Sequence, residues 1–336
     1  MKVLLPGGPR AFKAVWWEAG SVRMIDQRLL PERFEILTCR SAEEVAKAIE
    51  DMAVRGAPAI GVAAAYGVAL ASLGTSPTAA IARLKRTRPT GRDLFHALDW
   101  MAARISTGAD PVREAEAYAR SVEEACRQIG VVGEPLLRDG ARVLTHCNAG
   151  ALATVDHGTV TAPLRRAHEL GRRLFVWVSE TRPRLQGARL TAWELGQEGI
   201  DHAILADAAS GMLLARGDVD LVLVGADRIT ASGDFANKIG TYEKAVLAKE
   251  HGVPFYVAAP RSTFDFSLDQ GAEIPIEERS EVEVTEVGGV RVANPGSRAF
   301  NPAFDVTPAR YVTGYITEIG VIRPDQVRSL APRDGP

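Results

Sequence analysis

The sequence contains few of the residues that hold small secreted or metal-dependent proteins together. It has three cysteines, Cys39, Cys126 and Cys147, and six histidines. The cysteines are odd in number and widely spaced, which makes a poor disulfide framework and gives no metal-ligand spacing. The histidines form no cluster that would suit a metal either. We therefore expect a protein of the reducing cytoplasm with no metal site.

The chain also lacks an excess of charge of either sign. Its 40 basic and 42 acidic residues leave a formal net charge of -2, which gives no general attraction to nucleic acid or to an anionic membrane. The opening apolar residues run at once into Pro6-Gly7-Gly8-Pro9, so we expect no signal peptide. The most apolar stretch, residues 57–73, is broken by Gly61 and Gly67. It predicts a buried helix rather than a membrane span of about 20 residues.

Nucleotide-binding motifs are missing as well. No Gly-x-Gly-x-x-Gly pattern follows the first strand of the predicted sheet, and there is no Walker A motif, so a nucleotide cofactor has no support in the sequence.

The 336 residues suggest about two domains. Residues 1–130 predict a mainly helical N-terminal domain with a few short antiparallel strands. From about residue 140, short apolar runs alternate with helical patterns, which is typical of a parallel sheet with crossover helices. We therefore predict an α/β fold in which residues 131–336 form a Rossmann-like catalytic domain. Residues 265–310 interrupt this alternation and predict a long excursion before a final strand near Tyr311.

Individual elements follow from caps and apolar runs. Helices are predicted from Ser41 to about Ala53, from Pro58 onward, and over 92–105, 111–128, 162–170, 190–198 and 239–251. Strands are predicted over 15–17, 22–25, 142–146, 174–178, 203–205, 221–224 and 255–258.

Polar residues follow three of the predicted parallel strands, where ligands bind in open α/β sheets. Cys147 comes after the first strand, the segment 179–189 after the second, and Asp227 after the strand that ends at Val224. Each residue has another interpretation. Cys147 could be a small buried hydrophobe, and Asp227 could be a helix N-cap or the ion-pair partner of Arg228. His146 points away from Cys147 on a strand and is better read as a core histidine.

Three segments resemble anion sites at helix starts, where free N–H groups and the helix dipole favour phosphate. They are Arg55-Gly56-Ala57-Pro58, Arg88-Pro89-Thr90 and Asn237-Lys238, the last of which we predict to begin the helix after Asp227. Three further arginines, Arg182, Arg184 and Arg189, could contribute, although their crowding suggests that some form structural ion pairs.

Several long motifs resemble the methylthioribose-1-phosphate isomerase family. They are Arg55-Gly56-Ala57-Pro58-Ala59-Ile60-Gly61, residues 145–154 (THCNAGALAT), 180–183 (ETRP), 186–195 (QGARLTAWEL), 225–229 (GADRI), 233–242 (GDFANKIGTY) and 301–308 (NPAFDVTP). The similarity runs from about Trp16 to Pro324. Two departures are Ser179, where an acid is expected, and a shortened segment between Gly74 and Arg88.

The resemblance implies an aldose–ketose isomerase of methionine salvage, which converts 5-methylthio-ribose 1-phosphate to 5-methylthio-ribulose 1-phosphate. It implies Cys147 and Asp227 as the catalytic pair. It also implies a homodimer without metal or organic cofactor, similar in fold to regulatory subunits of a translation initiation exchange factor. The implied substrate-binding residues are Arg55, Gly56, Ala57, Arg88, Gln186, Asn237 and Lys238.

Two alternatives stay open at this point. A ribose-1,5-bisphosphate isomerase would keep Cys147 and Asp227 but would need a second cationic pocket in place of an apolar one. The apolar run 57–60 would suit a thioether instead. A non-catalytic regulatory subunit would not require a cysteine, an aspartate and an asparagine–lysine pair at the ends of strands or helices.

Overall fold

The computed structural model describes residues 1–74 and 76–331. The first part of the chain forms two small antiparallel sheets and five helices. Its strands are β1 (Lys2–Leu5), β2 (Gly8–Ala11), β3 (Val15–Glu18), β4 (Ser21–Ile25) and β5 (Ile36–Cys39). Its helices are α1 (Ala42–Glu50), α2 (Ala57–Ser72), α3 (Pro77–Leu84), α4 (Arg92–Ser106) and α5 (Pro111–Gly133). The predicted helices and the antiparallel pair β3–β4 are confirmed, whereas α3 was not predicted.

Local sequence explains where these helices begin. The Ser41 hydroxyl accepts the N–H of Glu44 at 3.2 Å and caps α1, and the Asp110 carboxylate accepts the N–H groups of Val112 and Arg113 at the start of α5. A side-chain acceptor at this position satisfies N–H groups that the helix itself leaves unpaired. The N-cap prediction at Ser41 is therefore confirmed.

Helix α2 is the centre of the helical layer, and every residue from Ala57 to Ala71 is buried. Its glycines allow close neighbours rather than breaking it. A Cβ at Gly61 would lie 2.8 Å from the carbonyl oxygen of Asp93, and one at Gly67 would lie 3.2 Å from Leu84. Within the described residues, no helix is long and apolar enough to cross a membrane.

The second part of the chain forms one large sheet and two smaller ones. Its strands are β6 (Ala141–His146), β7 (Leu174–Ser179), β8 (Asp201–Leu205), β9 (Leu221–Val224), β10 (Arg228–Thr230), β11 (Phe235–Lys238), β12 (Phe255–Ala258), β13 (Phe264–Asp265), β14 (Glu286–Val287), β15 (Val290–Arg291), β16 (Phe304–Thr307), β17 (Gly314–Thr317) and β18 (Gly320–Ile322). Its helices are α6 (Thr161–Glu169), α7 (Ala192–Glu198), α8 (Ser210–Ala215), α9 (Thr241–Glu250) and α10 (Val282–Thr285).

The seven-stranded sheet has the order β18-β17-β12-β9-β6-β7-β8, and only the edge strand β18 is antiparallel to its neighbour. The chain therefore builds outward from β6 in one direction through β7 and β8, and in the other through β9, β12 and β17. This is a doubly wound sheet, which confirms the predicted Rossmann-like architecture. Strands β6 and β9 flank the point where the winding reverses, and ligands bind at the carboxyl ends of strands at such a point.

One prediction about the second part was wrong in detail. Asn237 and Lys238 end strand β11 instead of starting a helix, and α9 begins only at Thr241. The strand predicted near Tyr311 is β17, which begins at Gly314. The segment 265–310 before it interrupts the alternation, as predicted. It contributes β16, which pairs with β11 and completes a four-stranded sheet in the order β13-β10-β11-β16. The predicted division near residue 130 falls inside α5 and stays a prediction.

Candidate active site

One pocket lies where the carboxyl ends of β6 and β9 diverge. All nine residues that the sequence singled out line it: Arg55, Gly56, Ala57, Arg88, Cys147, Gln186, Asp227, Asn237 and Lys238. They come from the start of α2, from the segment before α4, from the ends of β6 and β9, from the turn after β7 and from β11. The roles assigned to them stay predictions.

Cys147 follows directly after β6 and differs from the other two cysteines. It is partly exposed, while Cys39 and Cys126 are buried. Its φ of 65° lies in the left-handed region, which an L residue adopts only where its surroundings impose it. Cys147 is therefore not the small core hydrophobe of the alternative interpretation.

His146 is a core histidine, as expected. It is 1% exposed, and its Nε2 lies 2.8 Å from the carbonyl oxygen of Ile239. Because a carbonyl only accepts, Nε2 carries the proton. Burial and the Lys244 charge lower the pKa of His146 to about 3, so it is neutral near pH 7.

Asp227 precedes β10 and is held by its backbone. Its N–H donates to the carbonyl oxygen of Ala236 at 2.9 Å, and its own carbonyl oxygen accepts the N–H of Arg92 at 3.1 Å. Its carboxylate has no hydrogen-bond partner among residues 1–74 and 76–331. Asp227 therefore neither caps a helix nor pairs with Arg228, whose guanidinium pairs with Asp265 at 3.0 Å.

Burial raises the pKa of Asp227 above its ordinary range, and the charges of Lys238, Arg88 and Arg55 oppose that shift. A buried carboxyl disfavours its charged form. The carboxyl of Asp227 therefore holds a proton more readily than an exposed carboxyl, which suits a group that takes part in proton transfer.

Arg55 is held in place by a series of buried hydrogen bonds. Its guanidinium donates to the side-chain oxygen of Asn148 at 2.5 Å and to the Asn148 carbonyl oxygen at 2.6 Å. The Asn148 amide in turn donates to Glu194 at 2.9 Å. Glu194 also accepts the N–H groups of Ala151 at 2.7 Å and Leu152 at 3.2 Å. These contacts hold the Arg55 charge against the loop that carries Cys147.

Gly56 is required by the close approach of two loops. Its φ is 96°, and a Cβ there would lie 2.5 Å from Cα of Ala153. Gly56 precedes the first residue of α2, Ala57, so the predicted helix start is confirmed. The N-terminus of α4 differs, because its first N–H group, that of Arg92, already donates to Asp227.

Lys238 contributes a buried cation. It is 4% exposed, its Nζ donates to the carbonyl oxygen of Ala303 at 2.7 Å, and it lies 4.3 Å from the ring centre of Phe304. Burial and the charge of Arg279 lower its pKa to about 8. Its neighbour Asn237 is buried and donates to the Thr241 hydroxyl at 3.0 Å.

Arg88 belongs to an ion-pair network that the sequence did not reveal. Glu277 accepts from Arg88 at 3.2 Å and from Arg279 at 2.8 Å, and Arg279 also lines the pocket. Burial alone would raise the pKa of Glu277, but the two arginines hold it below its usual range. Arg88 Nη1 further donates to the sulfur of Met52 at 3.3 Å. Both Glu277 and Arg279 lie in the segment 265–310, where no periodic pattern marked them.

Gln186 is 6% exposed, and its side-chain oxygen has no partner among the described residues. It therefore has a free acceptor close to Arg55 and Cys147. The three other arginines of this region are structural. Arg182 donates to the carbonyl oxygen of Val284, Arg184 pairs with Glu283, and Arg189 donates to the carbonyl oxygen of Leu30.

The pocket therefore combines a thiol, a carboxyl, several cations and a number of apolar side chains. The apolar lining includes Met52, Ala57, Pro58, Ala153 and Phe304. Such a site can bind an anionic group and move protons on the rest of the ligand. Among residues 1–74 and 76–331, no three histidine, cysteine, aspartate or glutamate side chains could jointly hold a metal ion.

Comparisons with known proteins identify the family of the chain. The model of the initiation factor 2 subunit family matches residues 53–324. The chain is 51% identical to the methylthioribose-1-phosphate isomerase of Roseiflexus sp. (strain RS-1), over 97% of this chain and 98% of that protein.

Two crystal structures are similar to the whole fold. The 5-methylthioribose 1-phosphate isomerase of Pyrococcus horikoshii OT3 matches with a TM-score of 0.87 and 44% identity, over 96% of each chain. A protein of A. fulgidus described as the translation initiation factor eIF-2B, subunit delta, matches with a TM-score of 0.82 and 42% identity, over 94% of this chain and 97% of that one. The chain belongs to the initiation factor 2 subunit family and, within it, groups with the methylthioribose-1-phosphate isomerases.

Proposed function

We propose that the protein is an aldose–ketose isomerase that converts 5-methylthio-ribose 1-phosphate to 5-methylthio-ribulose 1-phosphate. The observation that carries this proposal is the placement of Cys147 and Asp227 in one pocket with Arg55, Arg88 and Lys238. The cations suit the phosphate, while the thiol and the carboxyl suit the movement of protons.

The substrate has no free aldehyde, because its C1 carries both the phosphate ester and the ring oxygen O4. The C1–O4 bond must break first, and O4 must gain a proton as it leaves. A hydrogen then moves from C2 to C1, and the C2 hydroxyl loses its proton to give the ketone. The proton gained by O4 balances the proton lost from the C2 hydroxyl. Because C1 is reduced by as much as C2 is oxidised, the reaction needs no external oxidant or reductant.

Asp227 is our candidate for the acid that protonates O4. Burial raises its pKa, which favours the protonated form that a general acid needs. Cys147 is our candidate for the base. In a proton-transfer route it removes the C2 proton to form an enol and returns a proton to C1, while the Asp227 carboxylate accepts the proton of the C2 hydroxyl. In a hydride route the C2 hydrogen moves directly to C1, and Cys147 accepts the proton of the C2 hydroxyl.

The bound phosphate would contact Arg55, Arg88 and Lys238, with Arg279 beside them. The N–H groups at the start of α2, next to Gly56 and Ala57, add further donors. We propose that Gln186 and Asn237 contact the sugar hydroxyls, since amide groups can both donate and accept.

The apolar lining favours a methylthio group over a second phosphate. Met52, Ala57, Pro58 and Phe304 would contact a thioether without leaving a polar group unpaired. Of the predicted apolar run 57–60, only the first two residues line the pocket, while Ala59 and Ile60 are buried in the helical core. The proposed pocket for the thioether is therefore built from several elements rather than from one segment.

The decisive experiment offers purified protein 5-methylthio-ribose 1-phosphate and, separately, ribose 1,5-bisphosphate, and follows ketose formation directly. We expect turnover of the first and at least about a hundredfold lower kcat/KM for the second, since a phosphate would be buried against apolar groups. The reverse preference would replace the proposed substrate. Turnover of neither would favour a regulatory subunit, the name carried by the A. fulgidus relative.

Running the same reaction in deuterated water separates the two chemical routes. Solvent deuterium at C1 of the ketose would require a proton-transfer route, because a direct hydride shift keeps the original hydrogen. We further propose that the protein acts in the cytoplasm as a homodimer, and that its helical and sheet-containing parts meet near residue 130.

A further inference from the structure

The backbone of Cys147 is held from both sides by threonine hydroxyls. The Cys147 N–H donates to Oγ1 of Thr181 at 2.8 Å, and Oγ1 of Thr191 donates to the Cys147 carbonyl oxygen at 2.6 Å. Thr181 is 0% exposed and Thr191 is 2% exposed. Neither lines the pocket, so both act on the peptide of Cys147 rather than on a ligand.

The conformation of Cys147 is one that needs such support. At a φ of 65°, a residue with a Cβ is strained relative to ordinary backbone by roughly the amount that one good hydrogen bond contributes. Without the two hydroxyls, the peptide could relax toward negative φ and move the thiol out of its place in the pocket. Two buried hydrogen bonds are enough to hold it in place.

Thr181 is itself held in an unusual conformation. Its φ is 70°, although it is β-branched, and such residues rarely adopt positive φ. Asp207 fixes the turn by accepting the N–H of Thr181 at 2.8 Å and that of Arg182 at 2.7 Å. The Thr181 hydroxyl donates to the Ser179 carbonyl oxygen at 2.8 Å, which leaves its lone pairs free to accept from Cys147.

Thr191 connects the peptide of Cys147 to the hydrogen bonds that hold Arg55 in place. It ends a π-helical turn, Gly187–Thr191, and such turns are frequent at functional sites. Its hydroxyl also accepts from the Asn148 amide at 3.2 Å. One side chain therefore contacts both Cys147 and the residue that fixes Arg55.

We propose that Thr181 and Thr191 are positioning residues, which hold Cys147 in its left-handed conformation so that it lines the pocket together with Asp227. This inference deepens the proposed isomerase function, on which its kinetic readout rests. Its second readout, the alkylation of the Cys147 thiol, does not depend on that function.

The test uses Thr191→Val in the full-length protein, because valine keeps the shape of threonine and removes only the hydroxyl. We expect kcat to fall by at least about tenfold while KM changes by less than about threefold, since misplacement of a reacting group costs rate rather than binding. Thr191→Ser restores the hydroxyl and should recover kcat to within about threefold of the parent.

Iodoacetamide alkylation, quantified for each cysteine by peptide mass spectrometry, gives the independent readout. The Cys147 thiol reaches solvent through the pocket, so its alkylation rate should fall in Thr191→Val and recover in Thr191→Ser. Cys39 and Cys126 are buried and serve as internal references. Acceleration at all three cysteines would indicate general loosening and would overturn the proposal, as would an unchanged rate at Cys147.

Thr317→Val is the matched control. Thr317 is 0% exposed, donates to the Gly320 carbonyl oxygen at 2.8 Å and accepts the N–H of Ile319 at 3.3 Å, away from the pocket. It should leave kcat and Cys147 alkylation unchanged. If Thr191→Val does not fold, Thr181→Gly replaces it, because glycine accepts a φ of 70° while lacking the hydroxyl. A parent-like kcat in that variant would also refute the positioning role.

Discussion

Two regions of the molecule each hold an aspartate and a cysteine, and they differ in how far the fold satisfies the polar groups of these residues. In the helical layer, the Asp93 carboxylate accepts hydrogen bonds from Ser262 at 2.5 Å and Thr263 at 2.9 Å. In the pocket, the Asp227 carboxylate has no hydrogen-bond partner among the described residues. Burial raises the pKa of both, but only the second can engage a ligand without first breaking protein contacts.

The cysteines show the same contrast. Cys126 lies inside α5, is fully buried, and has a pKa that burial raises well above its ordinary range. Cys147 lies at a strand end, is partly exposed and has strained backbone. Residue type and burial alone therefore do not identify a reactive group. The pocket differs because a polar group in it, the Asp227 carboxylate, has no hydrogen-bond partner among the described residues.

The largest expected effect tests this contrast with one substitution at two positions. Asp227→Asn should lower kcat/KM by about 10²–10⁴-fold, because a general acid is lost, and should change the free energy of unfolding by less than about 1 kcal/mol. Asp93→Asn should keep kcat within about threefold of the parent but lower the free energy of unfolding by about 1–3 kcal/mol, since its hydroxyl partners lose their acceptor.

Initial rates and urea unfolding of the two variants provide the measurements. If Asp227→Asn lost as much stability as Asp93→Asn and also kept the activity of the parent, the two aspartates would not differ in the way described.

A smaller effect concerns pH. Lys238 has a pKa lowered to about 8, so its charge is present below that pH and is lost as the pH rises through it. If this charge binds the phosphate, kcat/KM of the parent should fall about tenfold per pH unit above about pH 8. In Lys238→Arg the fall should move to higher pH, because a guanidinium stays charged. An identical alkaline fall in both proteins would assign it to another group.

The smallest expected effect compares glycine with alanine at the two cysteine positions. At position 147 the left-handed backbone should make Cys147→Gly more stable than Cys147→Ala by about 0.5–1 kcal/mol. At position 126, inside a helix, Cys126→Gly should be less stable than Cys126→Ala by about 1 kcal/mol. Urea unfolding measures both differences, and the same sign at both positions would show that the Cys147 backbone is unstrained.

Much of this organisation could be predicted from the sequence because it depends on local signals. Apolar runs located the parallel strands to within a residue or two, and the Ser41 cap and Pro58 located two helix starts. Cys147 and Asp227 were found because strands β6 and β9 end just before them. Once the sheet is doubly wound, residues at those two ends must share a crevice.

Other features depend on contacts between distant segments, which no local pattern encodes. Asn237 and Lys238 were assigned to a helix because β10 and β11 are short and the helix that follows is close. Arg279 lines the pocket, and Glu277 pairs with Arg88, only because their segment returns to pair β16 with β11. Thr181 and Thr191 resemble ordinary turn residues until the fold places both beside the peptide of Cys147.

The residues that line the pocket come from three regions that are far apart in sequence: the helical layer, the strands and loops between residues 141 and 260, and the segment 265–310. A ligand that contacts all three acts as a temporary crosslink between them. Local unfolding of any one of these regions releases the ligand. A ligand concentration of a hundred times Kd should therefore add about 2.7 kcal/mol to the free energy of unfolding of each region. Slowed hydrogen exchange should therefore extend along α2 and α4, well beyond the residues that the ligand contacts.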